Sequence, residues 1–432
     1  MNKYKDFYFD KYIIGLLIKY YRKNKNIKVV NLLTRKNSNE YEFCIDCDKC
    51  KNRKAICSTK KLYAIERGDV ATKDCYYNSL AANLDKQVIF DRRMSNRLIN
   101  YRNNLKNVLI ECSKSKLNKL LIMINKDINK YKNVLYFEDM LSIYLDIINY
   151  YLYHIVPSDD SIRLSLYLLE IVDDEDKKIF ACFLYEISFR VSNHLIDRDN
   201  IKKYCEKYVN DPLLLKYKLE QIVSQNYLDA FESIVEMEKI AVNMSDYQYC
   251  CLLEYKAYVL MNAESYEKSY CTLKKCIDIA LSKKDFSDYV VINYYGKLGV
   301  ICFLLEKYAE TIESFSVLLS KAAPLGVNCS LLFYSMEKCG MEKQIKDVLK
   351  TIDISKKRRP FVEIIVNYYS MRYTEKQFEK NDFILLENMI CEDVKPFLKT
   401  YGSIQKYIFT NDLKKLVEKT GNYKKYYKFM EK

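Results

Sequence analysis

A chain of 432 residues with only 8 glycines and 5 prolines has few places to turn sharply. Average usage would supply roughly 30 and 22. Sandwiches and barrels need frequent tight turns, and nucleotide-binding folds need glycine-rich phosphate loops. Long helices joined by short connections need neither, so the chain is predicted to be all-α. Hydrophobic residues make up 49% and charged residues 30%, a composition that builds a core rather than a disordered chain. The length suggests two or three domains. No stretch of 18 uncharged apolar residues occurs and the start lacks a secretory pattern, so no membrane span or export is expected. These features point to the cytoplasm, where the 16 cysteines would be mostly reduced. The only histidines are His154 and His194. There is no phosphate loop, dinucleotide glycine run, His-Glu-x-x-His or nucleophile elbow, so no enzyme activity is expected.

Charge is unevenly distributed. The formal net charge is +14, and residues 1–90 hold 19 Lys and Arg against 10 Asp and Glu, a net of +9. The other 342 residues carry +5. A basic head on a nearly neutral body suggests a partner that is a polyanion, most simply nucleic acid.

Four helices are predicted in that head. Ile14, Leu17, Ile18 and Tyr21 fall at helical spacing in a first helix over 13–23. Asn26 is a candidate N-cap for a short second helix, Ile27 to Leu33. A third helix follows Ser58, whose hydroxyl suits an N-cap, and stops at Gly68, a suitable C′ residue. Its Leu62 and Ile65 point inward with Ile56. A fourth runs from about Asp74 to Leu84 with Tyr77, Leu80 and Leu84 inward. Asp91 to Cys112 reads as a polar linker helix.

The run ICSTKKLYAIERG resembles the recognition helix of the lambda-repressor/Cro-like (XRE) helix-turn-helix, and Ile14-Gly15 with Lys19 to Lys23 resembles its first helix. The likeness covers about residues 10–86. It implies a recognition helix in the major groove of double-stranded DNA, with flanking helices on phosphates. Carried over residue by residue, Thr59, Lys60, Lys61 and Tyr63 become base-facing candidates and Lys54, Arg67 and Lys28 phosphate candidates. Glu66 becomes an internal partner that fixes the turn. Lys28-Val29-Val30 stands where the family often has Gln, and the turn before the third helix is far longer than usual.

Residues 35–57 form a cysteine-rich insert in that turn, with Cys44-x2-Cys47-x2-Cys50-x6-Cys57. A short C-x2-C turn can bring two thiolates onto one metal. A structural zinc site, an iron–sulfur cluster and unligated thiols or a reversible disulfide all fit the spacing. A metal-loaded insert would make the head a metal or redox sensor.

From residue 113 to the C-terminus amphipathic helices repeat. Tyr295-x2-Leu298-Gly299-x2-Cys302-x5-Tyr308-x2-Thr311-x3-Phe315-x2-Leu318, with Pro324 beyond, follows the tetratricopeptide pattern. Ala257, Tyr266, Ser269, Leu273 and Cys276 sit at the same offsets, as do Tyr227, Ala230, Ile234 and Met237. Tyr227, Tyr266 and Tyr308 are 39 and 42 residues apart, longer than the usual 34, so the array is a degenerate tetratricopeptide-like α-solenoid. Such arrays commonly hold an extended peptide on an inner surface. The inward candidates for a short signalling peptide are Glu254, Tyr258, Asn262, Asn293 and Phe303.

Three parts follow: a head, 1–90; a linker helix, 91–112; and a sensing and dimerisation body, 113–432. This order is similar to the peptide-pheromone-responsive regulators of Gram-positive bacteria and their phages, the Rgg, PlcR and ComR group. That resemblance implies a homodimeric, peptide-responsive (quorum-sensing) transcription factor. Two other readings stay open: a metal- or redox-sensing regulator acting through the insert, and a helical-repeat scaffold whose head docks onto protein.

Overall fold

The computed structural model describes residues 8–34, 56–71, 73–189, 191, 194–321, 325–352, 360–373 and 378–431. The chain is all-α. Among these residues strand-like pairing is limited to isolated bridges, one of them the parallel bridge between Gln87 and Val134. The chain divides into two compact units, Met1–Gln221 and Ile222–Lys432.

The first unit opens with α1 (Tyr8–Asn24), α2 (Val29–Leu33), α3 (Thr59–Glu66) and α4 (Asp74–Ala82). In α1, Ile13, Ile14, Leu16, Leu17 and Ile18 are all buried. One contact face would need only part of that run, so α1 must be covered on more than one side. It packs on α3 and α4, and its other flank meets α8 (Asp159–Ile171), where the Tyr167 hydroxyl donates to Leu16 O at 2.8 Å and the Tyr20 and Tyr167 rings lie 4.8 Å apart. Asn26 does not cap α2. It takes a left-handed conformation (φ 53°) that turns the chain out of α1, a role Asn tolerates better than most residues. Lys28 then occupies the N-cap of α2 and offers no side-chain hydrogen bond.

The linker helix forms as α5 (Arg92–Glu111), started by the Asp91 carboxylate accepting from Arg93 N at 2.8 Å. It is amphipathic rather than polar throughout, burying Met94, Leu98, Tyr101, Leu105, Val108 and Leu109. It packs on α6 (Lys114–Lys130) and α7 (Phe137–Tyr153), and α9 (Asp174–Ile187) and α10 (Arg198–Lys207) extend the unit. Arg102 and Lys106 of α5 bridge to Asp173 (2.6 Å) and Glu175 (2.9 Å) at the start of α9.

In the second unit α12 (Tyr227–Lys239), α13 (Asp246–Asn262), α14 (Tyr266–Lys283), α15 (Asp288–Leu304), α16 (Tyr308–Ser320) and α17 (Cys329–Lys338) each pack on the next, α11 (Leu215–Val223) lying across the unit boundary. Tyr266 and Tyr308 each open the second helix of a packed pair and Tyr227 likewise opens α12, which is why they mark the repeat. The small positions do what the pattern requires. Ser269 Oγ donates to Ala257 O at 2.6 Å, and a Cβ at Gly299 would sit 2.8 Å from the Phe315 ring. The unit ends in α18 (Glu342–Thr351), α19 (Pro360–Arg372), α20 (Lys380–Asn388), a π turn Met389–Val394, α21 (Lys395–Tyr401), α22 (Ser403–Thr420) and α23 (Tyr423–Met430). Phe333, Tyr368, Tyr369, Ile408, Phe409 and Leu413 form the heart of its core. No helix of the described residues is long and apolar enough to cross a membrane.

Candidate nucleic-acid interface

The head brings α3 to the surface on a rigid support. Ser58 Oγ accepts from Lys61 N at 3.2 Å, closing the first turn. At the far end Gly68 has φ 93°, and a Cβ there would strike the Tyr12 ring at 2.5 Å. Between them Leu62 and Ile65 are fully buried, with Ile56 beneath the helix start. The helix leans on α1 at Gly15, where a Cβ would stand 2.4 Å from Ile65 O, so the two backbones touch and only glycine fits.

Glu66 is buried, at 3% exposure, and its carboxylate receives Arg22 of α1 through Nε at 2.5 Å and a second guanidinium nitrogen at 2.7 Å. This paired, two-bond contact fixes both the angle and the register of α3 on α1. The same carboxylate raises the Arg22 pKa further, mainly through the hydrogen bond. Charge alone would not single out Arg22, whose neighbours Lys19 and Lys23 look equivalent in the sequence. Asn83, just past α4, donates to Leu32 O (2.7 Å) and Thr34 O (2.8 Å), capping the free carbonyls of α2.

On this support Thr59, Lys60 and Tyr63 are exposed, and Lys61 is half-buried. Tyr63 is 45% exposed although its neighbours Leu62 and Ile65 are at 0%. Arg67 and Lys28 are exposed, and Arg67 also reaches Asp69 at 3.4 Å. The structure therefore gathers Thr59, Lys60, Lys61 and Tyr63 on one short helix, with Arg67 at its C-cap and Lys28 at the N-cap of α2. Lys54, Cys44, Cys47 and Cys50 lie outside the described residues. Cys57 is half-buried, and burial pushes its thiol up from the usual range. Among the described residues no cluster of His, Cys, Asp and Glu has the arrangement of a metal site.

The head is also fastened to the rest of its unit. Tyr21 OH donates to Asp139 of α7 at 2.5 Å, Ser95 Oγ to Asp10 at 2.8 Å, and Lys86 pairs with Glu138 at 2.8 Å. Asp139 is buried and held above the usual carboxylate range by desolvation. The backbone adds Gln87 N to Asn133 O at 2.7 Å and Leu135 N to Gln87 O at 2.8 Å.

The five inward candidates of the repeats have different surroundings. Glu254 of α13 is mostly buried and pairs with Lys297 of α15, joining the first helices of adjacent hairpins. Tyr258 is 43% exposed, Asn262 is exposed and Asn293 is half-buried. Phe303 is 5% exposed and sits in the core, edge-on to Tyr308 (6.0 Å) and Tyr334 (5.7 Å). A depression of about 470 Å³ in the same unit is lined by Phe231, Lys256, Leu260, Glu267, Lys268, Cys271 and Thr272, none of which is among those five.

No family model and no curated protein sequence matches this chain. Among solved structures, the crystal structure of Bacillus thuringiensis PlcR in complex with the peptide PapR7 and DNA is similar over 77% of this chain and 98% of that chain, with 16% sequence identity and a TM-score of 0.21.

Proposed function

We propose that the chain is a sequence-specific DNA-binding transcriptional regulator. α3 is its recognition helix, and Thr59, Lys60, Lys61 and Tyr63 face base edges. Arg67, Lys28 and Lys54 hold phosphates. The observation that carries this reading is the contrast within α3. Its apolar and acidic side chains are locked inward by Gly15 and Arg22, while its hydroxyl, ammonium and phenol groups are left in solvent. A helix meant only for packing would not present that set beside a basic surface.

In this reading residues 1–90 are the DNA-binding head, 91–112 the connecting helix and 113–432 a sensing and dimerisation body. The body takes a short peptide or a protein partner, with Tyr258, Asn262 and Asn293 as its most accessible candidates. A homodimer would place two heads on an inverted repeat.

The test is selection of duplexes from a random library by the purified full-length protein. Recovery of an inverted-repeat motif, lost in the Lys60→Ala/Lys61→Ala variant whose helical content is unchanged, is the expected result. An unchanged affinity for the recovered motif in that variant would remove α3 from the recognition role.

A further inference from the structure

The basic excess does not stop at residue 90. Residues 91–132, which are α5, α6 and the turn after them, contain 11 Lys and Arg against 3 Asp and Glu, a net of +8. The remaining residues 133–432 contain 41 against 44, a net of −3. The body is therefore not evenly near-neutral. The positive charge of the chain ends with α6.

The placement of that charge is more telling than its sum. At about 100° per residue, Lys116, Lys119, Met123, Lys126 and Lys130 fall within about an 80° arc of α6. All five are exposed. The inward side carries Leu117, Leu120 and Ile124, each at 3% exposure or less. The carboxylates nearby are already engaged. Asp127 is buried and receives Arg97 (2.7 Å) and Tyr101 (2.9 Å), and Glu111 pairs with Lys116. Among the described residues no acidic side chain lies within ion-pair distance of Lys119, Lys126 or Lys130. The stripe runs for about 21 Å along the axis. Its C-terminal end is the end next to the head, since Asp127 meets Arg97 near the start of α5 and Gln87 pairs with Asn133 and Leu135 just beyond α6.

We infer that this lysine face is a second polyanion-binding surface, and that its occupant is the phosphate backbone of the duplex flanking the site read by the head. A single row of ammonium groups, with Met123 between them and the Tyr131 ring 5.0 Å from the Lys130 ammonium, carries no hydroxyl or amide on the arc and suits phosphates and not base edges. The length matches the backbone of about six base pairs at 3.4 Å per phosphate on one strand. The inference rests on the DNA-binding reading above, because the stripe shares a compact unit with α3.

The experiment compares the full-length protein with a Lys119→Gln/Lys126→Gln/Lys130→Gln variant on a 40-base-pair duplex, titrated across salt. Each phosphate contact adds about 0.9 to the salt slope, so losing three should reduce it by about 2.7. The affinity difference should therefore shrink roughly 40-fold between 50 and 200 mM salt. Matching circular dichroism and thermal midpoints establish that the variant is folded, as expected for exposed positions. The Lys60→Ala/Lys61→Ala variant should lose motif preference yet keep the slope contribution of α6. Equal slopes for wild type and the triple variant would overturn the inference while leaving the recognition helix untouched. So would equal slopes accompanied by lost binding to phosphatidylglycerol vesicles, which would assign the stripe to a lipid surface. Failure of the wild type to bind any duplex would overturn the DNA-binding reading and this inference with it.

Discussion

α3 and the first helices of the repeats both carry candidate contact residues, but these are held in opposite ways. In α3 the groups that position the helix and the groups offered to solvent are different residues. Leu62, Ile65 and Glu66 do the holding, and Thr59, Lys60 and Tyr63 are left over. In the repeats two of the five candidates do structural work themselves. Glu254 is spent on Lys297, and Phe303 on Tyr308 and Tyr334. A surface whose structural work is done elsewhere can change its exposed side chains freely. One that shares the work cannot, and any ligand for it must compete with internal contacts.

The largest effect should come from cutting the support of α3. Glu66→Ala leaves the Arg22 guanidinium, whose side chain is 13% exposed, without its partner. Breaking one side of a buried pair costs about 3–5 kcal/mol. Amide exchange in α3 of the full chain should accelerate accordingly, while exchange in α13 to α16 stays constant. Equal acceleration in both regions would mean that the head has no separate local stability.

Which parts were legible beforehand follows from range. Ser58 and Gly68 act within their own helix, so the cap signals could be read locally. Tyr227, Tyr266 and Tyr308 could be read because repetition turns one local signal into three. Arg22 with Glu66 spans 44 residues and Glu254 with Lys297 spans 43. Periodicity says which face a residue is on, never which residue of another helix it meets. Asn26 is ambiguous in sequence because Asn serves both as an N-cap and as a left-handed exit, and the choice depends on where α1 ends. The charge of α5 and α6 was hidden by averaging it with the acidic remainder.

The two close helix approaches form the next test. At Gly15 the obstacle to a Cβ is a backbone carbonyl at 2.4 Å, which cannot move without shifting α3. At Gly299 it is the Phe315 ring at 2.8 Å, a side chain that can tilt. Overpacking costs typically 1–3 kcal/mol. Gly15→Ala should fall at the upper end and Gly299→Ala at the lower, as read by urea denaturation of the full chain. The reverse order would mean that the repeat packing is the less forgiving of the two. Removing the α3 cap should cost less again, about 1 kcal/mol for Ser58→Ala. Its motif affinity should drop with it, since Thr59 and Lys60 lie in the turn that unravels.

The smallest coupling is expected between Glu254 and Lys297, and it bears most directly on the comparison. Lys297 keeps 48% of its side chain in solvent, so the pair is screened and a double-mutant cycle should give a coupling of about 0–1 kcal/mol. Truncating Lys297 to Met nonetheless leaves Glu254, 8% exposed, as a mostly buried carboxylate with no cation. It becomes the strongest unsatisfied acceptor on the inward side of α13, beside the exposed Tyr258. If a peptide binds there, its amides or a basic side chain would gain the acceptor that Lys297 occupies. Lys297→Met should then tighten a basic peptide while Glu254→Gln weakens it. Opposite effects of the two substitutions on binding, in variants whose circular dichroism shows them folded, would show that this pair is an internal competitor for the ligand. Parallel effects of the same size would make it a packing contact only, and the repeats would then owe any partner to the exposed Tyr258 and Asn262 rather than to this salt bridge.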